Sequence, residues 1–171
     1  LHPRRDEVAE RAGEDPGDDQ RVPRLRVVGR LYLAGGVTSV FTAGEAEPEA
    51  ALAFRAAQRA GDEVGTRVYS AGPYINHVGG LVGFMHGVAG PGEARAKLRD
   101  WKHRIDGDKV YMDITPEELA AVIEEAHAAK LRVTGHLGSL TAGQAIDLGI
   151  DRLEHGIYAM SEFGRPSPTK P

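Results

Sequence analysis

Asp108-Lys109-Val110-Tyr111-Met112-Asp113-Ile114-Thr115-Pro116-Glu117-Glu118-Leu119 opens a stretch that continues through Val133-Thr134-Gly135-His136 and closes on Arg152-Leu153-Glu154-His155-Gly156. A short apolar run carrying Lys109 leads into a helix with a strong start. Thr115 is placed to cap it, Pro116 fills its first position, and Glu118 completes a reciprocal capping box. The helix is expected to run to about residue 129. A second run over residues 131–134 ends at His136, and a short helix over 141–148, stopped by Gly149, leads to a third run over 152–154 ending at His155. The rhythm is βαβαβ, with a side chain able to bind a metal on each strand.

Working outward, Val37-Thr38-Ser39-Val40-Phe41-Thr42 is β-branched and aromatic between glycines, and Arg67-Val68-Tyr69-Ser70-Ala71 reads the same way. Residues 48–60 form an alanine-rich amphipathic helix closed by Gly61. Leu25, Val28, Leu31, Leu33 and Ala34 recur at helical spacing before Gly35-Gly36, and residues 93–104, with Trp101, give another helix. Residues 72–92 hold seven glycines and are expected to form a long loop with His77, Phe84, Met85 and His86 on it. A loop of ~20 residues inside a compact domain is usually functional or mobile. Residues 1–24, which include Asp15-Pro16-Gly17-Asp18-Asp19, are expected to be loop or disordered, residues 25–160 the folded body, and 161–171 a polar tail.

Five strands, near 37, 67, 109, 132 and 152 and each separated by a helix, imply an α/β fold with a parallel sheet, doubly wound or a (β/α)8 barrel. The Gly-x-Gly-x-x-Gly turn of a dinucleotide-binding fold does not follow the first strand. Polar residues at successive strand ends suit the barrel, whose chemistry gathers at the C-terminal ends of its strands. A whole barrel takes ~250 residues, with ~200 as a lower limit. At 171 residues, an incomplete TIM barrel is the expectation.

Composition narrows the chemistry. A net charge of -4 does not supply the concentrated basic surface that nucleic acid requires, and no apolar run reaches the ~18 residues of a membrane span. With no cysteine, a metal would be held by His, carboxylate or modified lysine, an N/O set suited to zinc, iron, manganese or nickel.

Strand alternation places Lys109, Tyr111 and Asp113 on one face, with Val110 and Met112 on the other. A lysine facing a barrel interior must be paired or have its pKa lowered. Three readings stand: an ion-paired lysine at the strand mouth, a modified lysine bridging metals, or a Schiff-base lysine. His136 and His155, at the ends of consecutive strands, point to a shared metal site. Glu154, next to His155, is expected to point outward to a helix. His77 and His86 are read as substrate contacts or solvent-exposed loop residues, and His127 as an outer-layer residue.

The run from Lys109 to Glu118, the run from Glu125-Ala126-His127 to His136, and Gly149-Ile150-Asp151-Arg152-Leu153-Glu154-His155-Gly156 together resemble the metal-dependent amidohydrolase superfamily, in its imidazolonepropionase-like and prolidase-like branch. Gly35 to Val40 and Ser70-Ala71-Gly72-Pro73 fit that branch's second and third strands, so the resemblance covers residues 30–160. It implies a hydrolase of amides, cyclic amides or dipeptides that uses one or two divalent ions, zinc first among them. Lys109 corresponds to the lysine that becomes a bridging carbamate, His136 and His155 to the histidines of strands five and six, and Tyr111 to a substrate contact. The family's His-x-His pair of the first strand is not found; His2 stands where its second member, or a residue just beyond, would fall. The strand-eight aspartate that serves as general base is expected past the C-terminus. The chain is therefore expected to be strands two to six of such an enzyme, weak or inactive alone. The alternative is a non-catalytic fragment that associates with another chain, itself included, through open barrel edges; a Schiff-base aldolase ranks below both.

Overall fold

Thr115 caps its helix by the expected geometry. Its hydroxyl accepts from the Glu118 amide at 3.2 Å, while the Glu118 carboxylate accepts from the Thr115 amide at 3.0 Å. A second box, not anticipated, joins Thr141 and Gln144. The computed structural model describes residues 21–79 and 86–156. His2, the acidic stretch at 15–19, Phe84, Met85 and the tail at 161–171 lie outside them.

In chain order the elements are α1 (Arg21–Ala34), β1 (Ser39–Phe41), α2 (Pro48–Ala60), β2 (Arg67–Tyr69), β3 (Tyr74–His77), β4 (His86–Val88), α3 (Pro91–Trp101), β5 (Asp108–Val110), α4 (Pro116–Ala128), β6 (Val133–Gly135), α5 (Ala142–Leu148) and β7 (Arg152–Leu153). Two corrections follow. The glycine-rich stretch, expected to be a loop, contributes β3 and β4, and no helix separates β2 from β3. Helix α1 begins at Arg21, inside the segment expected to lack structure.

The chain divides into two units, Leu1–Thr38 with Glu49–Arg67, and Ser39–Pro48 with Val68–Pro171. In the first, Gly29 of α1 sits against the Phe54 ring of α2, where an added Cβ would come within 2.7 Å of a ring carbon. Arg26 and Arg30 reach the carboxylate of Glu63 at 2.6 and 3.4 Å. The apolar side chains Val27, Val28, Leu31 and Tyr32 are exposed.

In the second unit β1 pairs with β2, and a parallel sheet runs in the order β4-β3-β5-β6-β7. These sheets do not close into a barrel among the described residues. One face of the larger sheet is apolar: Ile75, Val88, Val110 and Val133 pack with Leu98 of α3, Leu119, Val122 and Ala126 of α4, and Ala145 of α5. Each valine, leucine or isoleucine among them contributes roughly 1.5–3 kcal/mol when fully buried. No helix among the described residues is long and apolar enough to cross a membrane.

Register fixes what faces the other way. Tyr74 pairs with Lys109, Lys109 with Thr134, and Thr134 with Arg152, forming one row across four strands. The apolar row Ile75–Val110 follows one residue later. Thus alternation on β5 sends Val110 to the helices and Lys109 to the opposite face, as the sequence pattern requires.

Candidate functional site

Lys109 is 1% exposed, the largest buried charged side chain among the described residues. Burial pulls its pKa down to about 8, with the Glu154 carboxylate pulling the other way. Glu154 Oε1 lies 3.8 Å from Lys109 Nζ and accepts from Thr134 Oγ1 at 2.5 Å. This corrects the expectation that Glu154 points outward. β7 ends at Leu153, so alternation no longer governs the next two residues.

His136 follows β6 directly, its amide donating to Val110 O at 3.2 Å. His155 has φ 60°, a left-handed backbone in which histidine is over-represented among non-glycine residues. That turn sets its ring edge-on to His136, centroids 4.5 Å apart at 68°. Burial, then His155 and Lys109, hold the His136 pKa below the usual imidazole value, with Glu154 opposing. A neutral imidazole keeps the lone pair that metal ligation uses.

The rings continue along the sheet. Tyr111 lies 4.8 Å from His136, and Tyr74 lies edge-on to Tyr111 at 5.5 Å. The Tyr74 phenol pKa is raised, first by burial, then by Tyr111 and Glu45. Above this row Gly44, at φ 92°, packs its backbone onto the Tyr74 ring and the Lys109 stem; a Cβ there would collide with the ring and come within 2.8 Å of Lys109 Cγ. Gly44→Ala is expected to cost about 2–4 kcal/mol from strain and overpacking, read as a lower urea midpoint at unchanged m. A midpoint shift below about 0.5 kcal/mol would mean the turn relaxes freely.

His77 is not on an overhanging loop. It ends β3 and its Nδ1 lies 2.8 Å from Glu118 Oε1, turned to the first turn of α4. His86 opens β4, and its side chain lies outside the described residues. His127 is exposed and hydrogen-bonds Asp151 at 2.9 Å, an outer-layer contact as expected. Asn76, missed in the sequence, is buried beside Tyr74: its amide donates to Asp113 Oδ2 at 3.0 Å, and the Asp113 amide donates to Asn76 Oδ1 at 2.8 Å. Asparagine inside a four-residue strand carries no signal of that role.

The donor set fits a metal in part. Two imidazoles stand side by side, but among the described residues no group of three His, Cys, Asp or Glu side chains is assembled to hold an ion.

Among solved structures the chain is similar to a Xaa-Pro dipeptidase with methionine bound in its active site, at 26% identity and TM-score 0.60, over 73% of this chain and 38% of that one. It is similar to bottromycin amidohydrolase at 26% identity and TM-score 0.57, over 63% and 24% of the two chains. It also matches A. niger ochratoxinase at 24% identity and TM-score 0.68, over 82% and 41%, which bears on the fold alone. No protein-family model matches the sequence, and no curated relative is similar to it. The chain spans less than half the length of each of these three structures. These neighbours define its class: an α/β unit, unclosed, of the kind found in amidohydrolase TIM barrels. Over that part the chain is related to the amidohydrolase superfamily on its prolidase-like side, whose members above are hydrolases of carbon–nitrogen bonds.

Proposed function

We propose that this chain carries part of the active site of a metal-dependent hydrolase that cleaves carbon–nitrogen bonds in small amides, cyclic amides or dipeptide-like substrates. The observation that carries the reading is the pair His136–His155 on neighbouring strand ends, with buried Lys109 beside them on the same face. His136 and His155 would hold a divalent ion, zinc foremost, as neutral imidazoles. When bound, such an ion supplies a nucleophilic water near neutral pH and polarises the scissile carbonyl. The chain's own residues do the rest of what can be assigned. Tyr111 walls the site beside His136 and offers a flat apolar surface to the substrate; Tyr74 supports Tyr111 edge-on.

Zinc titration of the 171-residue chain by calorimetry tests the reading. His136→Ala and His155→Ala are each expected to weaken binding at least tenfold, on the order of ligand-shell losses elsewhere. Equal affinity in both variants and the parent chain would remove the two histidines from the site. Turnover of dipeptides and cyclic amides is expected from a longer form that supplies the remaining ligands.

A further inference from the structure

Asn76 and Asp113 place a carboxylate beside Tyr111. On β3 the Ile75 side chain packs into the apolar core, so alternation turns Asn76 to the face that carries Lys109. Ile75 pairs with Val110, and the Tyr111 amide donates to Ile75 O at 2.9 Å, which sets Asn76 alongside Tyr111. Asn76 is 2% exposed and gives both ends of its side-chain amide to Asp113. Its Nδ2 donates to the carboxylate at 3.0 Å, and its Oδ1 accepts from the Asp113 backbone amide at 2.8 Å. The backbone contact alone would hold the turn after β5; the second contact orients the carboxylate as well. Asp113 is half-buried, its Oδ1 accepts no hydrogen bond, and no cation pairs with it among the described residues. Glu154, by contrast, is engaged with Thr134 and Lys109.

We propose that Asp113, oriented by Asn76, binds a protonated amine of the substrate, so that the site selects amides bearing a free amino group over those without one. β3 and β6 flank β5 in the sheet, so Asn76 and His136 stand on opposite sides of Tyr111. A ligand lying on the Tyr111 ring with its carbonyl toward His136 presents its other end to Asp113. An ammonium there meets a carboxylate already set in place, and a hydrogen bond between charged groups is the stronger kind. An acylated amine would strip water from the same carboxylate without an ion pair in return. The inference rests on reading His136 and Tyr111 as the substrate site and narrows which amides enter it.

The test titrates the full 171-residue chain, with and without zinc, and follows its NMR shifts. The probes are alanyl-alanine, which carries an α-amine, N-acetyl-lysyl-alanine, which carries a side-chain amine, and N-acetyl-alanyl-alanine, which carries neither. An amine-bearing probe is expected to bind about fivefold or more tighter than N-acetyl-alanyl-alanine, as for a charge-assisted contact at a half-buried site. Which of the two does so identifies the amine taken. Asp113→Asn removes the charge while leaving an oxygen and a backbone amide for Asn76, and is expected to bring the preference below about twofold. Equal binding of the three probes, a preference that survives Asp113→Asn, or no binding by any probe overturns the proposal. If that variant does not fold, the unsubstituted chain decides by salt: added sodium chloride is expected to erode the preference through screening, and a preference indifferent to salt overturns it. Zinc separates the two readings. An amine preference in a chain that binds no zinc sinks only the metal assignment. Zinc held through both histidines without an amine preference sinks only this proposal.

Discussion

Glu118→Ala is expected to destabilise the chain by about 2–4 kcal/mol, from the buried backbone amides it would leave unpaired. The side chain is inaccessible to solvent and serves three partners. One oxygen accepts from the Gly90 amide at 2.8 Å and lies 2.8 Å from His77 Nδ1; the other accepts from the Thr115 amide at 3.0 Å. Alanine would leave two backbone amides and an imidazole without their acceptor, at roughly 1–3 kcal/mol for each group that stays buried and unpaired. It would also remove half of the capping box that starts α4. Urea unfolding followed by far-UV circular dichroism measures the loss. Glu118→Gln, which keeps shape and one acceptor oxygen, should lie between the two. A loss below about 1 kcal/mol for alanine would place the organisation of β3, the Gly90 turn and α4 elsewhere than in this carboxylate.

That node explains why His77 could not be placed from sequence. Its partner lies 41 positions away and is itself recognisable only as a capping residue. The capping signal was local and legible: Thr115, Pro116 and Glu118 define a helix start in four residues. Lys109, His136 and His155 were legible too, because a parallel βα rhythm brings the ends of successive strands together, and β5, β6 and β7 are adjacent in the sheet. What failed were the short elements. β3 is four residues and β4 three, set among glycines, too few for a period of two to rise above the turn signals around them. β7 has two residues, so strand alternation does not reach Glu154, whose inward position goes with the hydrogen bond it accepts from Thr134. Gly44 gave no warning either; its role depends on Tyr74 and Lys109 lying beneath it.

Between about pH 4 and pH 8 the metal-free chain is expected to lose stability as pH rises, and Asp108→Asn to abolish that loss. Asp108 is 1% exposed on β5, and one of its carboxyl oxygens has no hydrogen-bond partner among the described residues. Burial pushes its pKa up to about 8, only partly offset by a hydrogen bond from the Lys109 amide. In the unfolded chain the same carboxyl ionises near its ordinary value of about 3.9. Across the interval the native state binds a proton that the unfolded state has released, so stability is full below the unfolded pKa and declines as pH rises through the folded one. The slope for one such group is at most about 1.4 kcal/mol per pH unit. Lys109, whose folded pKa is lowered to about 8, acts in the opposite direction above that point: its contribution is present above the unfolded pKa and lost as pH falls through the folded value. The two neighbours together predict a minimum of stability near pH 8. Urea midpoints at pH 5, 8 and 10, in the presence of a chelator, test it. Asparagine keeps the shape and cannot ionise, so the difference between pH 5 and pH 8 should flatten in that variant whatever its absolute stability. An unsubstituted chain equally stable at pH 5 and pH 8 would mean that water or a rearranged partner reaches Asp108, and that its carboxyl ionises within the fold at little cost.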